Sequence, residues 1–477
     1  MVAISFIAFL LLFVCVGVLS FSKKKTTSQD YLLASQNIKP WLVALSAVAT
    51  NNSGYMFIGQ IGFTYMYGLH SIWLMIGWVV GDFFTSTFVH KRLREVSEER
   101  KVMSFASLIS EWHGHNYKKL RVLCGLITVM FLGTYAAAQL NAGSKALHIM
   151  FDWDYSVGAI IGSIIVLSYC FAGGIRASIW TDAAQSFVMF AAMAIMVFIG
   201  ISTVGGFGPF MESLNNVSPK YMDLFPDTTL FGSNAVASIL FVMGWFFAGI
   251  GVIGQPHIMI RFMTIDDADK IWKARSYYYG FYIAFYALTI ITALAARLLL
   301  PEVDAFDAEL ALPALAQELL PEILVGLVLA GLFAATMSTA DSQILSCTAA
   351  LTNDLFPQKL SGYKTNKFAT VFITALALMI ALFGSKSVFS LVLIAWSALA
   401  SAFAPILILH ALNRDTTENQ AIAMVVGGIG SMLAWRHFGL NDITYEIVAG
   451  ITGGFVIYLV YGVLLKITGH NGNKVKA

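Results

Sequence analysis

The chain has 477 residues, 58% of them hydrophobic and 12% charged, with a mean hydropathy of +0.75. Soluble domains carry about 25% charged residues, so this composition excludes a soluble globular protein and gives an all-α polytopic membrane protein. The net charge of +2 gives no electrostatic footprint for nucleic acid, and no nucleic-acid partner is expected. The apolar runs are continuous over about 20 residues and do not alternate, which excludes a β-barrel. Cys15, Cys124, Cys170 and Cys347 lie in or beside apolar segments and form no CxxC pair, so neither a disulfide framework nor a bound metal centre is expected.

Residues 3–22 form the first apolar run, followed by Lys23, Lys24 and Lys25. A signal peptide has the reverse order, charge first, so the run reads as a retained helix with its N-terminus outside. Further spans are expected at 41–62, 66–90, 120–147, 155–174, 178–204, 232–255, 275–300, 319–347, 367–384, 387–411, 419–436 and 446–466. That makes about 13 transmembrane helices. Starting outside, 24 of the 29 Lys and Arg fall on the cytoplasmic side and five outside (Lys145, Lys220, Lys386, Arg297 and Arg436). This bias is the one that orients membrane helices, and it puts the C-terminus in the cytoplasm. The outer connection 301–318 carries Glu302, Asp304, Asp307, Glu309 and Glu318 without Lys or Arg. It reads as a solvated surface or a weak concentrator of cations.

The spans divide the chain into five parts. Residues 1–40 hold the extra first helix and a linker. Residues 41–204 and 232–411 are two blocks of five helices, separated by a Gly-, Pro- and Asn-rich loop at 205–231. Residues 412–477 add two helices and a short tail. Five spans invert the second block relative to the first, and such inverted repeats begin with broken helices. The first block opens with Thr50-Asn51-Asn52-Ser53-Gly54 inside an apolar run, and the second with Gly249-Ile250-Gly251 and Gly254-Gln255-Pro256. In lipid, broken backbone is tolerated only where it is buried in protein or lines a cavity. Small residues at a helix–helix contact are the plainer reading of either stretch.

The third polar concentration is Thr336-Met337-Ser338-Thr339-Ala340-Asp341-Ser342, deep in the ninth helix. Hydroxyls, carboxylates and the free carbonyls of a broken helix are the oxygen ligands that hard cations take. Ser and Thr also bond back to their own helix, whereas a carboxylate inside a span is costly and marks function by default. Asp182 opens another span and could be satisfied by first-turn N–H groups. Asp82 lies two turns from Lys91 and could pair with it near the interface.

These residues resemble the sodium:solute symporter family, and within it the bacterial sodium/proline symporters. The resemblance runs from about Tyr31 to the last span. It is carried by Ala44-Leu45-Ser46-Ala47 with Ser53-Gly54, by Trp180-Thr181-Asp182 with Gln185, and by Gly254-Gln255-Pro256-His257-Ile258 with Arg261-Phe262-Met263. Met337-Ser338-Thr339, Asn353-Asp354-Leu355 and Ala395-Trp396 with Phe403 and Pro405 add to it. The resemblance implies a LeuT-type core of two inverted five-helix repeats and Na⁺-driven uptake by alternating access. It assigns a sodium site to Ala49, Asn52, Ala335, Ser338 and Thr339, and a second sodium or proton site to Asp182, Asp341 and Ser342. Two departures stand out. The proline branch has an aspartate where this chain has Asn51, and Asp341 is the charge expected to compensate. Aligned on Gly254-Gln255-Pro256, Ala248 and Val252 occupy the places of a Trp and a Tyr, with Trp245 one turn away.

Solute contacts are expected from Asn51, Ser53, Gln139, Trp245, Gln255 and Trp396. Packing or an interfacial belt would also explain each Trp. No arginine is expected at mid-depth to clamp an anion. The function expected is Na⁺-coupled symport of a small organic solute, an amino acid (proline-like) or similar zwitterion, in a bacterial inner membrane. Na⁺, the solute and the lipid bilayer are the partners. One alternative is a solute-sensing module working with a separate signalling partner; another is a proton-coupled symporter. No nucleophile–base pair, metal-ligand spacing or cofactor loop suggests an enzyme, and no filter sequence suggests a channel.

Overall fold

The computed structural model describes residues 1–23, 25–227, 233–300, 307–360, 362–384 and 387–467. The features expected at Lys24, Glu302, Asp304 and Lys386, at the end of the 205–231 loop and in the tail with Lys474 and Lys476 lie outside the described residues. Among the described residues the regular elements are helices, apart from one parallel bridge between Ile38 and Ile265.

The long helices are α1 (Val2–Leu19), α2 (Pro40–Phe57), α3 (Gly59–Tyr67), α4 (Ile72–Arg100), α5 (Lys118–Ile127), α6 (Gly133–Phe151), α7 (Tyr155–Thr203), α8 (Asn234–Ile250), α9 (Pro256–Met263), α10 (Ile271–Leu299), α11 (Glu322–Ala349), α12 (Tyr363–Phe383), α13 (Val388–Ala411), α14 (Glu418–His437) and α15 (Ile447–Ile467). A π-turn, Thr128–Leu132, joins α5 to α6. Polar residues at helix starts accept from N–H groups that have no intrahelical partner. Asp154, Ser233, Ser387 and Thr417 do so for α7, α8, α13 and α14.

Among the described residues ten helices are long and apolar enough to cross a membrane, against the 13 expected, and the difference has physical causes. Helix α7 has 49 residues, about 74 Å at 1.5 Å per residue, more than twice the ~30 Å hydrocarbon core. It bends at Gly174 (φ 59°, ψ −149°), between the two spans expected at 155–174 and 178–204. A Cβ on Gly174 would lie 2.4 Å from the Tyr31 carbonyl oxygen. The other two expected spans are present as helices α2 and α14. Thr50 to Ser53 make the first too polar to qualify on composition alone, and Glu418, Asn419, Gln420, Arg436 and His437 do the same for the second.

Helix α11 is the centre of the molecule. Its most apolar window is 83% buried inside the protein, against 17% for α1 and 22% for α15, which places those two at the lipid-facing periphery. Helices α1, α2, α6 and α7 all pack on α11. Small residues on its surface, such as Ala330, Ala334 and Ala335, are fully buried and let the neighbouring backbones approach. At one end of the bundle, Lys145 of α6 pairs with Asp307 at 2.8 Å and Glu309 at 2.6 Å. Glu309 also accepts from the Phe389 N–H at the start of α13.

Candidate functional site

Helix α2 is interrupted at Ser53, whose φ of 47° and ψ of 177° lie outside helical space. Such a conformation costs a non-glycine residue about 1–3 kcal/mol and persists only where the surroundings enforce it. Three contacts do so here. The Ser53 hydroxyl accepts from the Tyr55 N–H at 3.1 Å and from the Tyr135 hydroxyl at 3.4 Å. The Gly54 N–H turns onto the Gln139 side-chain oxygen at 2.8 Å. The Thr50 carbonyl, whose helical partner would be that N–H, accepts instead from the Thr339 hydroxyl at 3.0 Å. Next to it, the Ala49 carbonyl accepts from the Ser338 hydroxyl at 3.3 Å.

Ser338 and Thr339 also donate to the Ala335 carbonyl, at 3.2 and 3.1 Å. Among the described residues, the hydrogen bonds between the break in α2 and α11 therefore all run between carbonyl and hydroxyl oxygens. That donor set is the one a hard monovalent cation takes in exchange for water. Of the five residues expected to hold sodium, the structure joins Ala49, Ala335, Ser338 and Thr339, and it adds Thr50. Asn52 is fully buried, and its side-chain amide has no hydrogen-bond partner among the described residues.

Asp182, Asp341 and Ser342 also come together, around a residue the sequence reading placed elsewhere. Arg261 was counted among the positive charges of the cytoplasmic segments. It is instead 0% exposed, with Nη2 at 3.3 Å from a carboxylate oxygen of both Asp182 and Asp341. The same nitrogen donates to the Ser178 hydroxyl at 2.5 Å and to the Ser342 hydroxyl. Arg261 is thus a buried arginine paired with two carboxylates of the core helices. Asp182 lies eight residues past the Gly174 bend, beyond the first turn. It is held by the Ser46 hydroxyl at 2.6 Å rather than by helix N–H groups. Thr50 and Ser342 share a hydrogen bond of 3.0 Å, which links this charged cluster to the α2–α11 oxygens. Asp341 is hydrogen-bonded to Arg261 and Ser342, and among the described residues no hydrogen bond joins it to Asn51, whose missing charge it was expected to supply from the other side of the site.

The second break has the expected form. Helix α8 ends at Ile250, a 3-10 turn covers Gly251–Gly254, Gln255 is extended (φ −97°, ψ 103°), and Pro256 starts α9. The Gln255 amide donates to the Trp396 carbonyl at 3.1 Å, and the Trp396 ring N–H donates to the Ala248 carbonyl at 3.1 Å. Helix α13 thereby closes over the break.

The solute candidates fall into three places. Asn51, Ser53 and Gln139 surround the first break, and Gln255 and Trp396 hold the second. Trp245 stands apart, at a cavity of about 370 Å³ lined also by Phe63, Phe389, Tyr445 and Arg436. The Trp78 ring lies between Trp245 and Trp396, with ring centres 6.2 and 4.7 Å away.

Tyr135, Tyr278 and Asp82 were missed as parts of the site. Asp82 does not pair with Lys91, which binds Asp269 at 2.5 Å. Asp82 is 0% exposed and takes the Tyr278 hydroxyl at 2.9 Å. The signal for Tyr278 is the run Tyr278, Tyr282, Tyr286 on one face of α10, where i, i+4 spacing stacks side chains.

Two broken helices packed against a buried, hydroxyl-rich third helix are the architecture of a secondary transporter. The chain belongs to the sodium:solute symporter family, which it matches over residues 31–428. It is a Na⁺-coupled solute symporter, a multi-pass membrane protein and not an enzyme. It is 28% identical to the sodium/proline symporter of Escherichia coli (strain K12), covering 97% of this chain and 93% of the relative. It is 27% identical to the high-affinity proline transporter PutP of Bacillus subtilis (strain 168), over 94% and 95%. Among solved structures, it superposes on a Na⁺-coupled sialic acid symporter in a substrate-bound outward-open state. The TM-score is 0.80 at 17% identity, covering 97% of this chain and 98% of the other. The nucleobase-cation-symport-1 transporter Mhp1 in a closed conformation gives 0.58 at 13% identity, over 92% and 95%. These likenesses establish the LeuT-like fold.

Proposed function

We propose that the chain imports a small organic solute, an amino acid (proline-like) or similar zwitterion, using an inward Na⁺ gradient across a bacterial inner membrane. The N-terminus lies outside and the C-terminus in the cytoplasm. One observation carries the reading: the Ser338 and Thr339 hydroxyls of α11 reach the carbonyls that the break in α2 leaves free. A Na⁺ ion takes the place of these cross-helix hydrogen bonds and ties the two helices together through its own coordination. Binding of the ion then fixes the shape of the break, where Asn51, Ser53 and Gln139 meet the solute. Asp182, Asp341 and Ser342 form a second cation position beside Arg261. The two repeats at 41–204 and 232–411 move against each other around these groups. Gln255 and Trp396 link the second break to α13 and pass the movement on. Proline-transporting relatives at 27–28% identity support the solute class, while Ala248 and Val252 in the second break argue for a solute with different bulk from proline.

The test is uptake of a labelled amino-acid panel into proteoliposomes, with and without an inward Na⁺ gradient. Accumulation that collapses when the gradient is removed supports the reading. Uptake indifferent to Na⁺ overturns it.

A further inference from the structure

Asp82 of α4 is a fully buried carboxylate outside the groups assigned above. Among the described residues no cationic group lies within ion-pair distance of it. Arg275 of α10 spends Nε on the Ser86 hydroxyl at 3.0 Å and Nη2 on the Phe83 carbonyl at 3.2 Å. One carboxylate oxygen of Asp82 takes the Tyr278 hydroxyl, and the other has no partner. An unpaired anion in a low-dielectric interior is costly, and it is retained by taking up a proton or a cation. A Na⁺ ion would require several oxygen ligands; a proton needs only the free oxygen of Asp82.

The surroundings show what that proton would change. Tyr278 has one hydroxyl proton, and it points to Asp82. Its oxygen therefore accepts, from the Asn51 side-chain nitrogen at 2.6 Å. This leaves the Asn51 side-chain oxygen without a partner, as an acceptor at the first break. With a proton on Asp82 the chain runs the other way: Asp82 donates to Tyr278, Tyr278 donates to Asn51, and the rotated amide presents N–H groups to the break. Asp82 also lies against the second break. A Cβ on Gly249 would come within 2.9 Å of the Asp82 backbone nitrogen and 2.2 Å of the Trp78 carbonyl oxygen, so only glycine lets α8 approach α4 this closely.

Other groups face Asp82. From α10 these are Tyr278, Tyr279 and Arg275, with Tyr282 one turn further; Tyr279 donates to Ser86 at 2.8 Å. From α2 they are Asn51 and Tyr55, whose ring packs on Trp78. Helices α8 and α13 present Trp245 and Trp396, which do not titrate. His90 lies two turns along α4, its ring tilted against that of Phe262 of α9 with ring centres 3.9 Å apart. Asp82 is the one unpaired carboxylate in this set.

We propose that Asp82 binds a proton, and that this proton switches Asn51 at the first break from acceptor to donor. Acidification then weakens the hold on a positive group there. The proposal rests on the Na⁺ reading above only for its second readout.

The first readout is infrared difference spectroscopy of the purified protein over a pH titration. The wild type gains the carbonyl stretch of a protonated carboxylic acid that Asp82→Asn lacks, and Tyr278→Phe keeps that band. The second is Na⁺-induced thermal stabilisation with Na⁺ alone as the probe. The half-saturating Na⁺ concentration of the wild type rises about tenfold or more from alkaline to acidic medium, within the usual range of coupling between sites. It stays flat with pH in Tyr278→Phe, in which Asp82 is retained but disconnected. If Asp82→Asn does not fold, Tyr278→Phe carries the second test. The absence of a difference band between wild type and Asp82→Asn overturns the proposal, as does a Na⁺ affinity that tracks pH equally in wild type and Tyr278→Phe. If no Na⁺ binds at all, the symport reading fails, and the infrared band still decides for or against Asp82.

Discussion

Replacing Arg261 by Gln removes the single positive charge between Asp182 and Asp341. All three side chains are 0% exposed, and both carboxylates lie 3.3 Å from the same nitrogen. With arginine present the cluster holds two potential negative charges against one positive; with glutamine it holds two against none. Breaking a buried ion pair by removing one partner costs about 3–5 kcal/mol. The Ser178 and Ser342 hydroxyls also lose a charged donor. Asp341→Asn removes the second negative charge and leaves Asp182 supported by the Ser46 hydroxyl. The double variant Arg261→Gln/Asp341→Asn should therefore recover much of the loss. Residues in one ionic network show coupling energies of about 0.5–3 kcal/mol, and this pair should lie at the upper end. Apparent melting temperatures in detergent, in Na⁺-free buffer, measure all three variants. A double variant that loses the sum of the two single effects would refute the charge-balance reasoning.

Three further outcomes are expected. Thr339→Val keeps the side-chain shape but removes the oxygen that reaches Thr50; the half-saturating Na⁺ concentration for uptake should rise about tenfold, equal to about 1.4 kcal/mol, while Thr339→Ser stays close to wild type. Gly174→Ala forces a Cβ into the Tyr31 carbonyl at a positive φ, so the yield of folded protein should fall sharply, and size-exclusion profiles after membrane extraction would show it. Lys145→Met releases Asp307 and Glu309; it should lower the melting temperature less than Arg261→Gln does, because the Asp307 side chain is 47% exposed and water replaces part of the lost interaction.

The helices were legible because apolar runs of crossing length have few structural alternatives. Both breaks were legible for a related reason: Thr50 to Gly54 and Gly249 to Pro256 are poor continuous helix in any context. Ser338 and Thr339 stood out as adjacent hydroxyls on a deeply apolar helix, and the structure sets them against Ala49 and Thr50. Pairings across the chain were hidden. Arg261 looked like one more positive charge near a helix end, since nothing local reveals that it lies between residues 79 positions before it and 80 after it. Asp82 and Tyr278 are 196 residues apart, and Asp82 beside Phe83 looks no different from a carboxylate near a headgroup. The count of 13 spans against ten apolar helices shows the same limit from the other side. A span such as α2, polar in its own composition, is accommodated because α7, α10 and α11 surround it.

Binding of radiolabelled Na⁺ to the purified protein, compared with the Ser338→Ala/Thr339→Ala double variant, is the most direct test of the α2–α11 contact as the ion's seat. Saturable binding in the wild type that is lost in the double variant, with folding preserved, is the expected result. Undiminished Na⁺ binding in the double variant would contradict it and move the ion to another part of the molecule.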